Sequence, residues 1–414
     1  MLNRNLFTVI LVLLIFFVIS FLTNILGALN PAIKESFHLE YSSLGFMTLA
    51  FFSAYGVMSI PSGFLVERYK EKRVILMAFI LAGTGALIFS LKPTFLIFLG
   101  SLFAIGTGMA MLQVAINPLL REAGGEEHFA FNSVLGQLFF GVAGVAGPYF
   151  FSYLMENIDK KDVGFVVETL SDLSNIDMKW TSLYWVFAFI CILMVLVVLF
   201  HKFPIIEKKE DERIGTLIQY KQLFKNPIVI SFFIGIFCYV GFEQGVSFWI
   251  SQFLSQYHDV DPNAQGAETV GNFWGLLTLG CFLGLLLLKF IDSKKVLLLF
   301  SSLAFISLTL ALFGPLRIAL FAFPAVGFFA SVMWSVIFSL GLNSLKFNHG
   351  AMAGILCTGI VGGAVAPFII GGISDFIGLK FGMLFNYLLL AYIFSIGLWA
   401  NPIVKNRVIK IKNN

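Results

Sequence analysis

The sequence is poor in charge. Only 12% of its 414 residues are Asp, Glu, Lys or Arg, about half the share that keeps the surface of a soluble domain wet. A chain this long with so few ionic groups presents most of its surface to something other than water, and lipid is the solvent that fits. Proline is scarce too, 12 residues beside 49 phenylalanines, which excludes a disordered or collagen-like chain. The four cysteines, Cys191, Cys238, Cys281 and Cys357, each sit inside an apolar run. With no metal-ligand spacing and no secreted pairing pattern, they read as small packed side chains. All five histidines, His38, His128, His201, His258 and His349, fall in loops or at helix ends. No nucleophile stands with a base, so an enzyme finds no support. Gly124-Gly-Glu-Glu-His128 has no second ligand pair and reads as a solvated loop, and Gly106-Thr-Gly108 lacks the Gly-Lys-Ser/Thr that completes a phosphate loop. A net charge of +4 is too small to suggest nucleic acid.

What the chain has in quantity is apolar length. Stretches long enough to cross roughly 30 Å of hydrocarbon run at about 6–29, 42–65, 74–91, 95–119, 130–154, 181–200, 228–252, 270–288, 296–314, 318–342, 351–373 and 382–401. The expectation is an all-α membrane protein of twelve transmembrane helices. Arg4 before the first run resembles the start of a signal peptide. That run is too long and lacks a small-residue cleavage site, so it reads as an uncleaved first helix. With both termini placed in the cytoplasm, 20 Lys and Arg fall on the inner side and 7 on the outer, which fixes the expected orientation in the cell (inner) membrane.

The charged stretch His201–Asn226 separates spans six and seven and reads as a cytoplasmic linker of residues 201–226, between bundles of residues 1–200 and 227–414. The halves echo each other. Gly63-Phe-Leu-Val-Glu-Arg-Tyr-Lys-Glu-Lys-Arg73 is similar to Gly284-Leu-Leu-Leu-Leu-Lys-Phe-Ile-Asp-Ser-Lys294 at an offset of 221 residues, and Gly144-Val-Ala-Gly-Pro148 to Gly363-Ala-Val-Ala-Pro367 at 219. Two similar offsets joining equivalent spans point to a parallel duplication of six helices. Gly141, Gly144 and Gly147 in the fifth span, and Gly359 and Gly363 in the eleventh, let backbones approach closely in lipid.

Polar side chains inside the spans need a reason. Glu243 is the one acidic or basic group in the middle of a span. A charge there costs about 2.5–3.5 kcal/mol on insertion scales, and is tolerated where it faces a cavity, has a partner or stays protonated. This suits Glu243 to carry a proton or bind a cation; the plainer alternative is a glutamate bracing two helices. Other polar groups gather in the same helices. Asn24 lies in the first span, at the position that the repeat equates with Glu243. Gln113 and Asn117 stand four apart on one face of the fourth, and the fifth carries Asn132 and Gln137. Tyr239 precedes Glu243 by one turn, with Gln244 and Trp249 nearby. Asn272 and Trp274 lie in the eighth span, and Ser331, Trp334, Ser335 and Asn343 in the tenth. Amides pair with many hydroxyls and aromatic faces cover C–H surface, so the set suits a sugar. An anionic cargo would want an arginine, which no span centre supplies. For any single amide, an interhelical hydrogen bond serves as well as a ligand contact.

Several stretches resemble the fucose, galactose and glucose:proton symporter branch (fucose permease-like) of the major facilitator superfamily. They are Tyr239-Val-Gly-Phe-Glu-Gln-Gly-Val-Ser-Phe-Trp249, Phe328-Phe-Ala-Ser-Val-Met-Trp-Ser-Val-Ile-Phe-Ser-Leu340, Ile360-Val-Gly-Gly-Ala-Val-Ala-Pro367 with Ile373-Ser-Asp375, and Gln113-Val-Ala-Ile-Asn-Pro118 with Phe131-Asn132. The resemblance implies two pseudo-symmetric six-helix bundles and cation-coupled uptake of a sugar. Members of the branch carry a glutamate where Gln113 stands, an aspartate near Gly27, an arginine where Cys281 sits and a glutamine near Leu135. The carboxylates serve coupling and sugar binding there. In this chain either Glu243 has taken over coupling, with a proton or a sodium ion, or sugar equilibrates uncoupled.

The reading is a monomeric sugar transporter working by alternating access, with lipid as its surroundings and no cofactor beyond the coupling ion. Asn24, Gln113, Asn117, Asn132, Gln137, Tyr239, Gln244, Asn272, Trp274, Trp334 and Ser335 are the expected substrate contacts, and Glu243 the coupling residue. An efflux antiporter for drugs or metabolites is the alternative on the same architecture, and a non-transporting membrane sensor is a third.

Overall fold

The computed structural model describes residues 6–124, 129–160, 163–174, 177–201, 203, 217–345 and 349–403. Residues 125–128, most of residues 201–226 and both chain ends lie outside these residues. Among the described residues, twelve helices are long and apolar enough to cross a bilayer: Leu6–Phe37, Tyr41–Tyr69, Glu71–Leu91, Phe95–Ile116, Leu135–Asn157, Lys179–Phe200, Pro227–Ser247, Pro262–Phe290, Ser293–Phe313, Leu316–Leu342, Ala351–Ile377 and Leu379–Trp399. Helices answer the demand of hydrocarbon, because each satisfies its own backbone polar groups. Their ends are set locally. Asn226 accepts from the Ile228 N–H at 2.9 Å, with Pro227 in the first turn, and starts the seventh span. Asp292 does the same for the Lys294 N–H at 2.9 Å and starts the ninth. Gly378, at φ +89°, is the single left-handed residue that turns the eleventh span into the twelfth.

The first span, expected to stop near residue 29, departs from its sequence boundary by eight residues, as does the start of the eighth. The first continues to Phe37, through Asn30, Pro31, Lys34 and Glu35. Asn30 meets protein there instead of ending the helix: it is fully buried, and its amide donates to the Phe248 carbonyl at 2.9 Å.

Spans pack in the same pattern twice. In the first six, the first meets the fourth and fifth, the second meets the fourth, and the third meets the fourth and sixth. In the second six, the seventh meets the tenth and eleventh, the eighth meets the tenth, and the ninth meets the tenth and twelfth. These are the same pairings moved by six helices, so the repeat visible in sequence is a repeat in packing, two pseudo-symmetric six-helix bundles. The bundles meet chiefly along two seams, the second span on the eleventh and the fifth on the eighth. Small residues line both. A Cβ at Gly45 would stand 2.6 Å from the Phe368 Cα, and one at Gly144 would stand 3.0 Å from the Trp274 Cβ. A short helix, Leu217–Leu223, packs on the start of the eleventh span.

Candidate functional site

A cavity of about 570 Å³ lies between the bundles, within the range of small-molecule sites. Its walls come from the first, second, fourth and fifth spans on one side and the seventh, eighth, tenth and eleventh on the other. Several of these helices break beside it. The first has turn residues at Asn24 and Ile25, the tenth at Ser331 and Val332, and the eleventh tightens to a 3₁₀ turn at Gly359–Val361. Such interruptions free backbone groups and re-aim side chains only where protein or a cavity surrounds them.

Glu243 is the one charged side chain among the described lining residues. The Tyr239 hydroxyl, one helical turn earlier, donates to its Oε1 at 2.6 Å. Tyr239 in turn lies 6.1 Å, ring to ring, from Trp334, and Trp334 stacks nearly parallel on Phe338 at 5.8 Å. One wall is therefore a carboxylate with its phenol partner beside a continuous aromatic face. Across the cavity stand Asn24, whose Nδ2 donates to the Ser20 Oγ at 2.9 Å, and Gln113 and Gln137. Gln244, Trp274 and Ser335 complete the predicted set on the lining.

Three predicted residues are not found there. Asn272 is exposed and sits on the seam between the fifth and eighth spans, where its Oδ1 accepts from the Tyr149 hydroxyl at 3.1 Å. The two-residue step to Trp274 is about half a helical turn, so Asn272 faces away from the cavity that Trp274 reaches. Asn132 is buried but does not line the cavity. The side chain of Asn117 lies outside the described residues.

The lining also contains groups outside that set. Phe52 and Tyr55 come from the second span, Thr23 and Phe16 from the first, Phe140 from the fifth and Thr278 and Cys281 from the eighth. In the tenth span Ser335, Ser339 and Asn343 descend the wall at four-residue steps, and the Asn343 amide donates to the Ser339 Oγ at 3.4 Å. That spacing is readable as one helix face and would have added Ser339. Nothing in the sequence marks Tyr55 or Phe140 among the many aromatics.

The cavity is closed at one end and extends toward the other. Its lining reaches Leu288 near the end of the eighth span and Leu342 and Asn343 at the end of the tenth. At the opposite end the bundles are joined by the Asn30–Phe248 and Tyr149–Asn272 hydrogen bonds, by the Tyr41 hydroxyl on the Gln256 amide oxygen, and by the ring contact of Tyr41 with Trp249 at 5.8 Å. Among the described residues no group of three or more His, Cys, Asp or Glu is arranged to hold a metal ion.

The Major Facilitator Superfamily profile matches residues 12–359. A glucose/galactose transporter of Brucella abortus is 31% identical over 398 residues, which cover 93% of this chain and 92% of that protein. A putative glucose/galactose transporter of Helicobacter pylori is 30% identical over 368 residues, 87% of each chain. The crystal structure of the Escherichia coli fucose:proton symporter, 21% identical, superposes with a TM-score of 0.69 over 96% of this chain and 100% of that one.

Proposed function

The chain belongs to the major facilitator superfamily, and from that membership we propose that it imports a hexose-like sugar by alternating access, coupled to a proton or a sodium ion. Membership makes it a multi-pass membrane transporter and not an enzyme. The sugar is favoured by the names of the two relatives that cover most of the chain, glucose/galactose transporters both, and by the chemistry of the cavity. Its amides and hydroxyls match a polyhydroxylated ligand, and the Tyr239–Trp334–Phe338 face matches the C–H side of a sugar ring. The substrate contacts we assign are Asn24, Gln113, Gln137, Gln244, Trp274, Trp334 and Ser335.

The observation that carries the coupling is Glu243 itself, the lone carboxyl group among the described residues that line the cavity. An isolated acid in the membrane is expensive, and such groups mark ion and proton pathways. Residues 1–200 and 227–414 act as the two rocking bodies, joined by the linker. Arg68, Lys70, Lys72 and Arg73, with Lys289, Lys294 and Lys295, crowd the end toward which the cavity extends, so the positive-inside rule favours an inward-open state in the cell membrane with both termini cytoplasmic.

The test is counterflow of labelled glucose, galactose and fucose into proteoliposomes, with pH and sodium varied. Exchange of at least one hexose supports the substrate class, and stimulation by an inward proton or sodium gradient supports coupling. Failure to exchange any sugar would overturn the substrate reading. An uncoupled facilitator is the second reading, favoured by the neutral Gln113 on the cavity wall, and it predicts exchange that ignores both gradients.

A further inference from the structure

We propose that Asp375 is a positioning residue of the transport cycle: it holds the outer end shut by capping, from one bundle, a helix that belongs to the other. The second span begins at Tyr41, after Glu40 in extended conformation, and the Glu40 side chain makes no capping bond. Its first helical N–H groups have no acceptor within the helix. The earliest backbone donor that closes on the helix start is Leu44, to the Glu40 carbonyl at 3.1 Å. The Tyr41 and Ser42 N–H groups donate instead to the two carboxylate oxygens of Asp375, at 2.8 and 3.0 Å. Asp375 lies near the end of the eleventh span, 334 residues away in sequence. Gly371, one turn earlier, makes the approach possible: any Cβ there would collide with the Tyr41 carbonyl.

A negative charge at a helix N-terminus is favourable for the dipole as well as for the orphan donors. Here both contributions exist only while the bundles touch at this end. When they part, the carboxylate and the two N–H groups return to water, so the interaction weights one state of the cycle and not the fold of either bundle. The related seam is built differently. The turn that opens the eighth span is capped by its own Asp261, which accepts from Asn263 at 2.9 Å and Ala264 at 3.3 Å. That cap survives whether the bundles meet or not. Asp375 thus biases the cycle through one seam, and losing it should move the population toward the outward-open form by about fivefold, the factor that a typical side-chain helix cap is worth.

Cys281 reports the change. It lines the cavity, whereas Cys191 and Cys238 are buried. With Cys191, Cys238 and Cys357 replaced by alanine, a membrane-impermeant maleimide applied from outside labels Cys281 only when the outer end opens. Asp375→Ala should raise the outside labelling rate about fivefold. Asp375→Asn, similar in shape but with one acceptor oxygen, should fall between it and wild type, and it supplies the readout if the alanine variant does not fold. Rates equal to wild type in a variant of unchanged thermal midpoint would overturn the proposal. The inference rests on the alternating-access reading, but the assay contains no sugar. A wrong substrate therefore leaves it standing, and absence of labelling from either face in every variant would instead count against alternating access itself.

Discussion

Replacing Gly141 by alanine adds one methyl group at the point where the fifth span meets the eighth. The new Cβ would lie 2.6 Å from the Thr278 Cβ and would overlap the Thr278 hydroxyl. Thr278 cannot simply rotate away without cost, because that hydroxyl donates to the Trp274 carbonyl at 2.9 Å in its own helix. Overpacking of a filled contact costs about 1–3 kcal/mol. The strain falls on the state in which this seam is closed, so the penalty appears as a population shift of roughly fivefold to a hundredfold away from it. Turnover should drop by a similar factor in sugar counterflow, since each cycle must pass through the closed seam. Thr278→Gly in the same chain removes the colliding atoms and should restore exchange. Wild-type exchange by Gly141→Ala, or no rescue in the double variant, would refute the claim that close contact at this seam is part of the cycle.

Trp334→Leu removes an aromatic face, worth about 0.5–1.5 kcal/mol beyond its buried area, and should raise the KM for sugar roughly twofold to tenfold in initial-rate uptake. His201 sits just past the sixth span, with its Nε2 2.7 Å from the Thr8 Oγ1. Burial first, and then the Lys72 charge, hold its pKa below the ordinary 6.5. The unfolded chain therefore takes up this proton at higher pH than the folded one, and the stability present above pH 6.5 declines as pH falls through the folded value. His201→Gln should flatten the thermal midpoint below pH 6.5. Lys72 donates to the Leu199 and His201 carbonyls at 2.9 and 2.7 Å, a cation at a helix C-terminus. Lys72→Met should lower the thermal midpoint and move the His201 titration, followed by NMR, back up toward 6.5.

The fold was legible because hydrocarbon imposes a simple rule: apolar length reads directly as a span, and the repeat offsets carried the two-bundle symmetry. The end of the first span was not, because Asn30 looks like a solvent-facing residue until the opposite bundle is present to receive it. Glu243 and the amides stood out since polar groups are rare in lipid, and nine of the twelve predicted residues line one cavity. Asn272 carries the same signal but serves a seam, and only the rotation of its helix distinguishes the two roles. Tyr55, Phe52 and Phe140 are silent in a chain with 49 phenylalanines. Asp375 is quieter still. It looks like an ordinary acid at a helix end, and its partners are backbone groups that no side-chain pattern records.

The lone carboxyl group is the centre of the account. Glu243→Gln keeps a carbonyl oxygen to accept the Tyr239 hydroxyl and removes only the ability to ionise. In proteoliposomes with an inward proton gradient of about one pH unit, one coupled proton supports about tenfold accumulation of sugar, and an inward sodium gradient tests the other ion. The wild-type chain should accumulate sugar against one of these gradients. The Gln variant should then equilibrate sugar to a ratio near unity while its counterflow continues. Accumulation by the Gln variant equal to that of wild type would contradict coupling through Glu243.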